Sequence, residues 1–183
     1  MSQDTQPAKM FRDTEMDVAV LMTGGTIAKS YDPASAKLEN VRPTVKDLIA
    51  KLRLDDLNLK FFDYMQKDSL DINENERERI GHKIGDLAQK YDAVLVTHGT
   101  DSMVSTAELL CAKIPSPTVP VIFTGAMIPG TVIGSDAQQN LTEALLALRF
   151  LPPGIYLSFH NRILTPPGIR KNYENQTFEK VDQ

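Results

Sequence analysis

The chain has 183 residues, of which 42% are hydrophobic and 24% are charged, so neither intrinsic disorder nor a fibrous structure is expected for the chain as a whole. It carries 20 basic and 24 acidic residues, a formal charge of −4, which excludes nucleic-acid binding driven by phosphate neutralisation. The single cysteine, Cys111, excludes an internal disulfide and a multi-cysteine metal site. The length predicts one domain.

The N-terminal segment predicts neither a membrane anchor nor a secretory signal. The first apolar run, residues 18–22, follows an acidic and polar leader and is too short for either role. We therefore expect a cytoplasmic protein without membrane contact. Residues 1–16 are predicted to be a flexible tail, and residues 17–183 a single domain.

Short apolar runs alternate along the chain with stripes of apolar residues at the helical period. The runs predict strands at 18–21, 59–62, 94–96, 121–123 and 155–157. The stripes predict helices around 45–52, 80–91, 103–110 and 141–148. This alternation predicts an α/β fold with a doubly wound, mostly parallel sheet and helices on both faces. The last thirty residues are less regular.

Three of the predicted strands end in glycine beside hydroxyl side chains. These endings are residues 23–26 (TGGT), 97–102 (THGTDS) and 124–127 (TGAM). Ligands of open α/β sheets bind beyond the carboxyl ends of the strands, so we expect the chemistry to lie here. Thr26 and Thr100 would project into one crevice from two strand ends.

A threonine hydroxyl becomes a good nucleophile only when a base takes its proton. The candidates are Asp101 beside Thr100, Asp71 after the strand at 59–62, and Lys171 if burial or an acidic partner tunes it.

Several common site types do not match the sequence. The TGGT turn lacks the GxGxxG spacing and the GK[ST] ending of nucleotide-binding loops, and no G-x-S-x-G elbow occurs. His82, His98 and His160 have no metal-ligand spacing. We therefore expect neither a metal nor a cofactor.

Four blocks together resemble the L-asparaginases of the bacterial type. They are TGGTIAKSY (23–31), HGTDSM (98–103), TGAM (124–127) and IRKN (169–172), and they occur in the family's order. The resemblance implies an amidohydrolase that converts L-asparagine to L-aspartate and ammonia through an acyl-enzyme. A weaker action on L-glutamine and assembly into a homodimer or homotetramer are also implied.

The resemblance implies a role for each matching residue. Thr26 would attack the substrate amide, and Tyr31 would be the tyrosine of a mobile lid that activates it. Thr100, Asp101 and Lys171 would form a second catalytic group.

Substrate binding is implied for other positions of the same blocks. Ser69 would bind the α-carboxylate and Asp101 the α-ammonium, with Thr100 beside them. Gly25 and Gly99 would hold the substrate or the oxyanion through backbone N–H groups.

The sequence also departs from the family. Leu70 stands where many members have glutamine, and Ala137 replaces the glycine of an SDG motif. Nothing in the chain matches the family's usual C-terminal domain, so a smaller group that has only the first domain resembles it more closely.

Other interpretations stay open. The protein could bind an amino acid without turnover, or be another amidase or an amidotransferase subunit. Thr100 and Asp101 could simply begin a helix, Tyr31 could be a surface tyrosine, and His98 is expected to be structural rather than a base.

Overall fold

A computed structural model describes residues 14–40 and 44–181. Most of the predicted tail, residues 1–13, lies outside this part. Met16 does not belong to a tail: its side chain is buried in the core, and its N–H donates to the carbonyl of Asp56 at 3.0 Å. The domain therefore begins before the predicted boundary.

Ten strands and four α-helices make up the described chain. The strands are β1 (Met16–Gly24), β2 (Ser30–Asp32), β3 (Lys37–Glu39), β4 (Leu57–Lys67), β5 (Ala93–Thr97), β6 (Pro120–Thr124), β7 (Gly154–Phe159), β8 (Arg162–Leu164), β9 (Ile169–Asn172) and β10 (Thr177–Lys180). The helices are α1 (Thr44–Ile49), α2 (Glu74–Ala88), α3 (Met103–Lys113) and α4 (Ala137–Ala147). Each predicted strand and helix coincides with one of these elements.

A six-stranded sheet forms the centre of the fold, in the order β4-β1-β5-β6-β7-β8. All pairings except that of β7 with β8 are parallel. Every residue of β5 and β6 is buried, because apolar side chains on both faces are covered by helices. The predicted mostly parallel α/β fold is confirmed.

Two hydrophobic clusters fill the space between the sheet and its helices. On one face, Ile84 of α2 and Leu110 of α3 pack with Phe123. On the other face, Leu48 of α1 and Leu141 of α4 pack in a second cluster. Within the described residues, no helix is long and apolar enough to cross a membrane.

Five short strands lie outside the predicted pattern. β2 and β3 pair as a hairpin after β1, β8 forms an antiparallel sheet edge, and β9 pairs with β10. In the last pair Lys171 lies opposite Phe178, which is buried against Phe159 with 5.0 Å between the ring centroids. The region that we predicted to be irregular is therefore a hairpin docked on the core.

Candidate active site

The carboxyl ends of β1, β4 and β5 bring three loop segments into direct backbone contact. Gly25 follows β1 with a φ of +79°, and its N–H donates to the carbonyl of Lys67 at 2.8 Å. A Cβ atom on Gly25 would lie 2.3 Å from Cα of Gly99, and one on Gly99 would lie 2.5 Å from Cβ of Ser69. Glycine at both positions therefore allows the three strand-end segments to meet.

Thr26 begins a short 3₁₀ helix, Thr26–Ala28, immediately after this contact. The N–H of Lys29 donates to the carbonyl of Thr26 at 3.1 Å, which fixes its backbone. Its side chain is partly exposed, and its hydroxyl makes no hydrogen bond within residues 14–40 and 44–181. The Thr26 hydroxyl is therefore free to meet a ligand.

Lys171 of β9 reaches the end of β5 and joins two of the predicted residues. Its Nζ donates to Oγ1 of Thr100 at 2.8 Å and to Oδ1 of Asp101 at 2.7 Å. Only 14% of the Lys171 side chain is exposed, so the surrounding protein shields this ion pair from water. The structure thus brings Lys171 together with Thr100 and Asp101, two predicted site residues about seventy positions earlier in the chain.

Tyr173 covers the same ion pair and was not predicted. Its ring centroid lies 4.8 Å from Nζ of Lys171, and its hydroxyl lies 3.5 Å from Oδ1 of Asp101. Tyr173 lies in the turn directly after β9, two residues beyond Lys171. Oδ2 of Asp101 has no hydrogen bond among the described residues.

Ser69 lies fully buried after β4 and contacts the start of α3. The hydroxyl of Ser102 donates to the carbonyl of Ser69 at 2.6 Å, and the N–H of Ser102 donates to Oγ of Ser69 at 3.4 Å. Within the described residues, the hydroxyl protons of Ser69 and Thr100 have no acceptor. Both hydroxyls therefore have an unused proton to donate, although neither side chain is exposed: Ser69 is 0% and Thr100 is 3% exposed.

The loop after β6 is held by a polar network that the sequence did not reveal. The carboxylate of Asp136 accepts from the N–H groups of Met127 and Ile128, each at 3.0 Å. Nε2 of His160 lies 3.0 Å from Oδ2 of Asp136, and the amide nitrogen of Asn140 donates to the same oxygen at 2.9 Å. This network fixes the third glycine-containing strand end.

Tyr31, the predicted lid tyrosine, lies apart from these residues. It belongs to the β2–β3 hairpin, is 60% exposed and borders a cleft of about 330 Å³ beside Gly130 and Thr131. No hydrogen bond joins Tyr31 to Thr26 in the described part of the chain. The proposed contact between them stays a prediction.

Two other titratable residues have clear positions. Asp71 is exposed at the end of a short 3₁₀ helix, Ser69–Asp71, and its side chain makes no hydrogen bond to Thr26 or Thr100 among the described residues.

His98 is completely buried, and this burial lowers its pKa to about 4. Its ring is therefore neutral at pH 7, in agreement with the structural role that we expected.

Within residues 14–40 and 44–181, no group of three or more His, Cys, Asp or Glu side chains could hold a metal ion.

Comparisons with known proteins identify relatives of this chain. Residues 17–182 match the family model described as asparaginase, N-terminal. The chain is 33% identical over 156 residues to L-asparaginase from Thermococcus kodakarensis, covering 85% of this chain and 48% of that protein. It is 34% identical over 141 residues to L-asparaginase 2 from Escherichia coli, covering 71% and 38%.

A solved structure of the thermostable Thermococcus kodakarensis L-asparaginase superposes with a TM-score of 0.83 and 31% identity. The superposition covers 92% of this chain and 52% of the solved chain. The chain therefore spans about half the length of the relatives that it matches.

Proposed function

Because the chain belongs to the asparaginase N-terminal family, we propose that it is an amidohydrolase that converts L-asparagine to L-aspartate and ammonia. The observation that carries the proposal is the hydrogen-bonded group of Lys171, Thr100 and Asp101. This group directly follows Gly99, whose backbone is in close contact with Gly25, the residue before Thr26. We propose that the chain from Met16 onward forms a single catalytic domain.

Substrate recognition is assigned to groups that still have hydrogen-bonding capacity. The hydroxyl of Ser69 would donate to the α-carboxylate, since its own proton has no acceptor among the described residues. Oδ2 of Asp101 would accept from the α-ammonium, while Oδ1 holds Lys171. These two contacts would place the side-chain amide near Thr26.

Acylation would begin when Oγ1 of Thr26 attacks the amide carbon. We assign Tyr31 of the β2–β3 hairpin to relay this proton: it would accept the proton of Thr26 as its own hydroxyl proton moves to the leaving nitrogen. The N–H group of Gly99 would stabilise the oxyanion, whereas the N–H of Gly25 already donates to the carbonyl of Lys67. When the carbon–nitrogen bond breaks, the protonated nitrogen departs as ammonia and Thr26 retains the acyl group as an ester.

Deacylation would use water and the second hydroxyl. Thr100 would accept a proton from the attacking water as its own hydroxyl proton moves to Oγ1 of Thr26, while Nζ of Lys171 holds Thr100 in place through its hydrogen bond. The ester bond then breaks, and Thr26 recovers its proton as L-aspartate leaves. This scheme requires no metal and no cofactor.

The test is the release of ammonia from L-asparagine, L-glutamine and D-asparagine by the 183-residue protein. Thr26→Ala and Thr100→Ala should each lower the rate on L-asparagine by about 10³-fold or more, because each removes a group that the transition state needs. Thr142→Ala, on the exposed side of α4, is the matched control and should leave the rate unchanged.

The other outcomes separate the alternatives. Release that both substitutions leave intact would overturn the assignment of the site. L-aspartate binding in a calorimeter, without release of ammonia from any amide, would favour an amino-acid-binding protein. Release from another amide, but not from L-asparagine, would favour a different amidase or an amidotransferase subunit.

Assembly and location complete the proposal. We propose a homodimer or homotetramer, since closed symmetric assemblies are the common form of oligomeric proteins. Sedimentation of the protein as a monomer alone would overturn this part. A minor glutaminase activity and a cytoplasmic location stay predictions.

A further inference from the structure

An ion pair joins the base of the β2–β3 hairpin to the segment that carries Ser69. Nζ of Lys29 lies 2.7 Å from Oδ2 of Asp68, and the two side chains are 25% and 35% exposed. Lys29 follows Thr26 by three residues, and Asp68 directly precedes Ser69. The pair thus links the segment that bears the proposed nucleophile with the segment that bears the proposed carboxylate-binding residue.

Both partners are fixed by their own backbone surroundings. Lys29 donates its N–H to the carbonyl of Thr26 at 3.1 Å, and its carbonyl accepts from the hydroxyl of Thr131 at 3.3 Å. Asp68 caps the 3₁₀ helix Ser69–Asp71: Oδ1 accepts from the N–H of Leu70 at 3.4 Å. A displacement of either charged residue would therefore be passed on to its neighbour in the site.

The pair is also the sole side-chain link between these two segments. Within the described residues, no other side-chain hydrogen bond joins residues 26–40 to residues 68–72. The sheet pairing of β1 with β4 ends where Gly24 lies opposite Lys67. The hydrogen bond from the Lys29 ammonium lowers the pKa of Asp68, so the carboxylate of Asp68 is charged at neutral pH.

We propose that Lys29 and Asp68 are positioning residues, and that their ion pair sets the distance between Thr26 and Ser69. This inference rests on the proposed function. The pair touches the site through neighbouring residues only and takes no part in the chemistry. An ion pair this exposed contributes little to overall stability, so its loss should affect activity more than folding.

The matched control is a second ion pair of the same kind far from the strand ends. Lys113 of α3 and Glu78 of α2 lie 2.6 Å apart, with side chains 44% and 40% exposed. Lys29→Gln and Asp68→Asn would each lower kcat/KM for L-asparagine about tenfold, since a misplacement of about 1 Å can reduce a rate by up to 10²-fold. Lys113→Gln and Glu78→Gln would leave kcat/KM unchanged.

Combined variants separate positioning from independent damage. The double variant Lys29→Gln/Asp68→Asn should lose no more activity than either single variant, because both remove one interaction. Melting temperatures should stay close to the wild-type value. Single variants with wild-type kcat/KM, or losses that multiply in the double variant, would overturn the proposal.

A readout that needs no turnover keeps the two proposals distinguishable. Chymotrypsin can cut after the exposed residues Tyr31 and Leu38 of the hairpin. Asp68→Asn should speed this cleavage, whereas Glu78→Gln should not. An inactive wild type would refute the proposed function alone, and equal cleavage of Asp68→Asn and wild type would refute the ion pair's role in holding the hairpin base.

Discussion

Acid should destabilise the protein through His98. Nδ1 of His98 lies 2.9 Å from the carbonyl oxygen of Gly99, and Nε2 lies 3.1 Å from Oγ1 of Thr106. A carbonyl can only accept a hydrogen bond, so Nδ1 carries the proton of the neutral ring and Nε2 faces the hydroxyl. Complete burial disfavours the charged ring and lowers the pKa from its ordinary value of 6.5 to about 4.

The direction of the effect follows from proton binding. The unfolded chain binds a proton at His98 near pH 6.5, whereas the folded protein binds it only near pH 4. The free energy of unfolding is therefore unaffected above about pH 6.5 and falls as the pH drops toward 4. The full effect is about 3 kcal/mol, of which about 2 kcal/mol is lost between pH 8 and pH 5.

Urea unfolding of the wild type and His98→Asn between pH 5 and pH 8 measures this effect. The difference in unfolding free energy between the two proteins should grow by about 2 kcal/mol from pH 5 to pH 8. His82→Asn is the control, because His82 is exposed and its replacement should leave the pH dependence unchanged. A difference between wild type and His98→Asn that stays constant over this pH range would refute the reasoning.

Two further predictions concern the strand ends. Lys171→Met should lower kcat for ammonia release by about 10³-fold, because Thr100 and Asp101 lose the group that holds them in place. Lys60→Met on the sheet edge is the control and should leave kcat unchanged. Similar steady-state rates for the two variants would argue against the role of Lys171. Gly99→Ala should reduce the unfolding free energy by about 2 kcal/mol and raise KM, because the new methyl group would overlap Ser69. Gly85→Ala is the control, since its methyl group would meet only ordinary contacts. A Gly99→Ala variant with normal stability and KM would contradict the close approach of Gly99 to Ser69.

The core of the fold could be predicted because its signals are local. The run 94–96 is apolar at every position and lies in a fully buried strand, and the stripe 141–148 places its apolar residues on one side of α4. The hairpin of β2 and β3 has no such signal. Its residues are mostly exposed, and its strands have only three residues each, so neither periodicity nor burial marks them.

The candidate site could likewise be predicted only where its residues belong to local sequence motifs. Thr26, Thr100 and Lys171 could be selected because their motifs are contiguous in the sequence. The contact of Tyr173 with Asp101 spans 72 residues, and that pairing depends on how the β9–β10 hairpin docks on the core. No local pattern encodes such an approach, which is why the sequence indicated the motifs but not everything that surrounds them.

A crystal structure with bound L-aspartate would test the central claim most directly. We predict that the α-carboxylate accepts a hydrogen bond from Ser69, and that the α-ammonium donates to Oδ2 of Asp101. The side-chain carboxyl carbon should lie about 3–3.5 Å from Oγ1 of Thr26. L-aspartate bound away from the ends of β1, β4 and β5, or bound there with its side chain directed away from Thr26, would contradict the account.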